Sequence, residues 1–343
     1  MQDFLTLLAG QVERSLLSRE ACWQTIDMHT AGEPLRVFVS GFPVLAGSSI
    51  LAKRADAKAN YDHLRTILMY EPRGHADMYG AWLVASEREN SDFGVLFLHN
   101  EGYSTMCGHA IIALTQLALS CGYKTTGEWL RIDTPAGQVQ SVSYGDYAEF
   151  LNVPSFVYQL ALQVSYHGQV YRFDLAYGGA YYAFIDADEY GLSLAMDNHA
   201  TLKTLGRALK AAIADAYPIS HSGDEALGFL YGVIFTSTTQ CDKAHHSRQV
   251  CIFADGELDR SPTGTGVSAR VAILAAKGTL LPQQEIRIES ILGCPFSVSY
   301  SVPQDDPTGR TVLPKVAGTA YITGQHTFYR DPADPLSQGF IFK

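Results

Sequence analysis

The stretch Met106-Cys107-Gly108-His109-Ala110-Ile111-Ile112-Ala113-Leu114 decides how this chain of 343 residues folds, because it returns in altered form at Asp259-Arg260-Ser261-Pro262-Thr263-Gly264-Thr265-Gly266. Each stretch is a glycine-bearing turn that runs into an apolar segment and stops at a glycine. Gly122 follows Cys107 by fifteen residues, and Gly278 follows Thr263 by the same interval. A glycine just past an apolar run is a natural left-handed helix stop. The spacing therefore predicts helices over 110–121 and 267–277. Both are apolar or small on every face, which reads as full burial. Two copies of one unit follow, each made of strand, loop, glycine-rich turn and buried helix. They differ at the reactive atom, a thiol in one and a hydroxyl in the other.

Working outward, segments 34–44, 80–98 and 145–153 alternate or run with β-formers between glycine and proline breaks. Helical spacing recurs over 56–69. The pattern pauses at Asn152-Val153-Pro154-Ser155 and restarts with strands over 169–175 and 177–186, a helix over 199–216, and strands over 228–235 and 250–254. The expected fold is α/β, with two pseudo-symmetric halves whose strands surround a central helix. The first half spans 1–153, with a surface helix over residues 1–20, and the second spans 154–323. The tail 324–343 contains Asp331-Pro332-Ala333-Asp334-Pro335, a poor former of regular structure, and is expected to return to the first half. Two halves also suit the length, at roughly 150 residues per domain.

Composition excludes several functions. Hydrophobic residues make up 47% and charged residues 17%, and the net charge of -10 offers no basic field for nucleic acid or an anionic membrane. No segment approaches the ~20 apolar residues of a membrane span, and the N-terminal run is too interrupted for a signal segment. A cytosolic protein is expected. The six cysteines, at 22, 107, 121, 241, 251 and 294, form no C-x-x-C pair, which suits reduced thiols over a disulfide framework or a zinc site. Gly264-Thr265-Gly266-Val267-Ser268-Ala269 matches G-x-G-x-x-A, but it lies well past its strand and opens no βαβ unit, so nucleotide binding is not expected. His245-His246 are neighbours without metal-site spacing, and no metal is expected. Arg73-Gly74-His75 reads as a polar turn.

The chemistry concentrates at the two turns. A thiol at a helix N-terminus faces backbone N–H groups and the positive end of the macrodipole, so Cys107 is expected to have a lowered pKa and to act as base or nucleophile. Gly108 and Gly264 let a ligand approach the backbone, where first-turn N–H groups suit a carboxylate. Thr263 is the matching position of the second half. Asp259 is a candidate partner for a substrate ammonium or imino group.

Four segments together resemble the proline racemase superfamily: Asp27-Met28-His29-Thr30-Ala31-Gly32-Glu33-Pro34, Glu71-Pro72-Arg73-Gly74-His75, Asn100-Glu101-Gly102-Tyr103 leading into Met106-Cys107-Gly108-His109, and Asp259 through Gly266. The similarity runs from about residue 22 to the C-terminus. The resemblance implies two diaminopimelate-epimerase-like halves with the active site between them. In its racemases and epimerases two cysteines flank the substrate Cα. Here Cys107 holds the first position and Thr263 the second, a pairing similar to that of trans-3-hydroxy-L-proline dehydratases.

Carried over position by position, the resemblance makes Cys107 the proton acceptor. Gly108, His109, Gly264 and Thr265 would hold the carboxylate and ring-nitrogen region, Asp259 would bind the imino group, and Thr263 would complete the pocket. The implied reaction needs no cofactor, because the substrate's own 3-hydroxyl leaves. A homodimer is compatible with this reading. The alternatives are a proline or 4-hydroxyproline racemase or epimerase, and a silent imino-acid-binding protein.

Overall fold

The computed structural model describes residues 22–342 apart from 223, 305, 307–309 and 332. The surface helix expected over residues 1–20 lies outside them. Five α-helices lie among the described residues: α1 (Ile50–Asn60), α2 (Asp62–Met69), α3 (Gly108–Ser120), α4 (His199–Ala216) and α5 (Gly264–Ala276).

Strand pairing repeats between the halves. Cys22–Thr30 forms a hairpin with Glu33–Ser40, which runs parallel to Tyr79–Val84 after a crossover through α1 and α2. Tyr79–Val84 pairs antiparallel with Phe93–His99, which runs parallel to Trp129–Thr134 after a crossover through α3. Gly137–Ser143 and Ala148–Leu151 complete that series by antiparallel steps. The second half follows the same order: Gln169–Tyr177 against Tyr181–Asp186, then parallel to Leu230–Ser237 across α4. Ser247–Phe253 follows antiparallel, then Ile286–Glu289 parallel across α5, and Pro295–Ser301 and Thr311–Gly318 antiparallel. Thr311–Gly318 also pairs with Ala148–Leu151 and joins the two halves.

Each central helix fills its own ring of strands. Every residue from Gly108 to Ala118 of α3 and from Gly264 to Ile273 of α5 is buried, so no face of either helix is left for water. Truncating a core leucine or isoleucine at such a position costs about 2–5 kcal/mol. The outer crossover helices cover the other faces. Ile50, Leu64 and Leu68 pack with Phe38, Trp82 and Leu96, and Leu202, Leu209 and Ile213 of α4 pack with Val233, Phe235 and Ile252.

Two expectations are corrected. The helix read over 56–69 is two helices: α1 starts earlier, at Ile50, where Ser49 caps it by accepting from the Ala52 N–H at 3.1 Å, and the chain breaks at Tyr61 (φ -131, ψ 13). The region read as an irregular tail begins inside a strand. Ala320–Tyr329 pairs with Cys22–Thr30, so a division at residue 323 cuts through it. Tyr321, Ile322, Thr323, Thr327 and Phe328 are β-formers, outweighed in the sequence reading by the prolines beyond them.

Candidate active site

The N-termini of α3 and α5 meet head to head. A Cβ on Gly108 would lie 2.6 Å from the Gly264 Cα, and one on Gly264 would lie 2.5 Å from the Gly108 Cα. Only glycine permits this approach from either side. It brings the first-turn N–H groups of both helices, which have no intrahelical acceptor, to one point between the halves.

A small cavity opens there. Cys107, Gly108, His109, Asp259, Thr263, Gly264 and Thr265 all line it, so the structure brings every residue singled out from the sequence to one place. Its volume is about 20 Å³, room for about one water. Tyr79, Tyr182, Tyr231, Phe253 and Met106 complete the lining. The sequence reading missed these apolar and aromatic walls, because a tyrosine inside a strand carries no motif. Arg73-Gly74-His75 does not line the cavity. The Arg73 carbonyl accepts from Arg36 at 2.6 Å, and the Arg73 guanidinium donates to the Ser337 carbonyl at 3.3 Å.

On the first-half wall, the Cys107 Sγ lies 3.0 Å from His109 Nδ1. Burial pushes the Cys107 thiol up, and the negative charges of Asp259 and Glu33 push the same way. The nearby Ala110 N–H and Tyr79 hydroxyl oppose them. The expected lowering of this pKa is therefore corrected: in the closed cavity desolvation outweighs the helix terminus. Burial also depresses His109 to about 4, so the imidazole is neutral at pH 7. Glu33, fully buried, accepts from the Arg260 N–H at 2.7 Å, and burial and Asp259 hold its carboxyl well above the usual range.

On the second-half wall, Asp259 Oδ1 accepts from the Ser261 N–H at 2.7 Å, and Oδ2 accepts from the Thr263 hydroxyl at 2.8 Å. Tyr182 and Thr265 share a hydroxyl hydrogen bond of 2.6 Å. The symmetry of the two turns breaks at the backbone. Cys107 is extended (φ -146), whereas Thr263 has φ +64, a left-handed conformation that costs a β-branched residue about 1–3 kcal/mol. The Asp259 and Ser261 bonds to Thr263 offset that cost.

The sequence profile of the proline racemase family matches residues 25–341. This chain belongs to the proline racemase family. Among its relatives, a trans-3-hydroxy-L-proline dehydratase from Colwellia psychrerythraea is 47% identical over 93% of this chain and 92% of its own. The human trans-3-hydroxy-L-proline dehydratase is 40% identical over 93% and 94%. Among solved members, a hydroxyproline epimerase from Agrobacterium vitis with bound trans-4-hydroxy-L-proline superposes with a TM-score of 0.85 at 28% identity, covering 94% of this chain and 96% of that one. The family therefore holds epimerases as well as dehydratases, and the mixed α/β fold described above is its fold.

Proposed function

We propose that this protein is a cofactor-independent hydro-lyase that converts trans-3-hydroxy-L-proline to Δ1-pyrroline-2-carboxylate. One observation carries the reading: a single thiol, Cys107, lines the cavity, and the Thr263 hydroxyl across from it is committed to Asp259. A racemase needs an acid and a base on opposite faces of Cα. An alcohol is too weak an acid to serve as the second. A dehydratase needs one abstraction only, because the carbanion expels the 3-hydroxyl. The dehydratases at 40–47% identity support the same reading.

The substrate carboxylate sits at the joined N-termini of α3 and α5, where the N–H groups of Gly108, His109, Gly264 and Thr265 stabilise the charge that builds on it as Cα loses its proton. The imino cation lies against Asp259. Its positive charge offsets the Asp259 field, which adds to burial in holding the thiol protonated, so substrate binding itself favours the Cys107 thiolate. With the 3-hydroxyl trans to the carboxylate, that hydroxyl lies on the same ring face as the Cα hydrogen, and loss of both from the Cys107 side is a syn elimination. The enamine formed first tautomerises to the pyrroline. The two halves, 22–151 with Ala320–Tyr329 and 155–318, part to admit the ring and close again.

Cys107→Ser tests the assignment. The expected result is a fall in kcat of about a thousandfold or more with substrate binding by calorimetry retained. Full activity in this variant contradicts it.

A further inference from the structure

A departing hydroxide needs a proton, and the cavity contains few groups able to give one. On the second-half wall the Thr263 hydroxyl donates to Asp259, and the Tyr182 hydroxyl is paired with Thr265. Both sit on the wall opposite Cys107, whereas syn elimination calls for a donor on the Cys107 side. On that side His109 is neutral and its Nδ1 is taken up by the thiol. Tyr79 remains. It opens the strand Tyr79–Val84, is 3% exposed, and lines the cavity. Its ring packs edge-on against His109 at 4.8 Å, which fixes its direction. Its hydroxyl lies 3.4 Å from the hydroxyl of Tyr231, which reaches in from the other half, in the cavity that Cys107 also lines.

We infer that Tyr79 is the acid that protonates the leaving 3-hydroxyl, on the same face as Cys107. The inference rests on the dehydratase reading. Cys107 thiolate takes the Cα proton as the Cα=Cβ bond forms and the Cβ–O bond breaks, and the Tyr79 O–H proton passes to the departing oxygen to give water. The tyrosinate then recovers a proton from the adjacent Cys107 thiol, which restores the thiolate. Both protons are accounted for without an external acid. Burial holds the Tyr79 hydroxyl well above the usual phenol range, so it carries its proton at neutral pH and returns to that state readily. Tyr231 positions the hydroxyl from behind.

The test compares two leaving groups. Hydroxide needs a proton to depart; chloride does not. Wild type is first given trans-3-hydroxy-L-proline, and absence of a pyrroline product overturns the underlying reading whatever Tyr79 does. With product established, Tyr79→Phe keeps the ring packing and removes only the hydroxyl. The expected result is a loss in kcat of about a hundredfold on trans-3-hydroxy-L-proline, at least about tenfold greater than the loss in chloride release from trans-3-chloro-L-proline. Chloride release by the same preparation also shows that the variant is folded. An equal loss on both substrates, or no loss on either, overturns the assignment. If Tyr79→Phe does not fold, Tyr79→3,5-difluorotyrosine keeps the hydroxyl and makes it more acidic. It is expected to change the ratio of dehydration to chloride release by about fivefold or more, and an unchanged ratio overturns the assignment.

Discussion

At position 107 two effects oppose each other, and their balance explains what the residue pattern revealed and what it hid. The helix N-terminus and its glycine are visible in Met106-Cys107-Gly108-His109. The closed cavity is not, because it is built by Tyr79, Tyr182, Tyr231 and Phe253 from distant strands. Burial wins in the closed state, raising the thiol and depressing its neighbour. His109 makes this measurable. Its imidazole titrates near 6.5 when unfolded and at about 4 when folded. Between those values the unfolded chain binds the extra proton, so stability is intact above pH 6.5 and is lost as pH falls toward 4. The gap corresponds to about 3 kcal/mol. Urea unfolding of wild type against His109→Asn is expected to show wild type losing that much stability relative to the variant between pH 7 and pH 4. Glu33, whose raised pKa acts in the opposite direction, is present in both proteins and drops out of the difference.

Among the elements, the two central helices were legible because length, apolarity and closing glycines coincide, and both follow their turns as read. The outer helices were less so. Ser49 caps α1 ahead of an alanine-rich run, but the apolar spacing used to place the helix begins later, and nothing local marks the break at Tyr61. Nor could spacing show that the two glycine turns touch. The contact of Gly108 with Gly264 fixes the distance between the helix termini, and through it the placement of Cys107 and Asp259 in the cavity. Gly264→Ala drives a methyl group into the facing backbone. The expected result is destabilisation of about 1–3 kcal/mol by chemical denaturation and a fall in kcat/KM of about a hundredfold, since a displacement near 1 Å suffices for that. A variant with wild-type kcat/KM contradicts the claim that the glycine pair sets the site.

Across the whole molecule, the repeat of antiparallel and parallel steps places one thiol and one hydroxyl on facing walls, and ion pairs hold those walls together. Asp77 of the first half meets Lys203 and Arg260 of the second, each at 3.1 Å, and Glu33 accepts from the Arg260 N–H. The two halves were readable from the equal intervals between turn and closing glycine; the return of Ala320–Tyr329 to the first strand was expected only as a tail. The proposed assignment of Cys107 as the one base makes a one-sided prediction: abstraction without delivery from the opposite face. The direct measurement is a proton NMR time course in D2O, with wild-type protein and trans-3-hydroxy-L-proline in one sample and L-proline in another. The expected result is replacement of the Cα and Cβ signals of the first substrate by those of Δ1-pyrroline-2-carboxylate, with L-proline unchanged. Inversion at Cα of either substrate, seen as the D-configured ring with its substituents intact, contradicts it, and shows proton delivery on the face that Thr263 occupies.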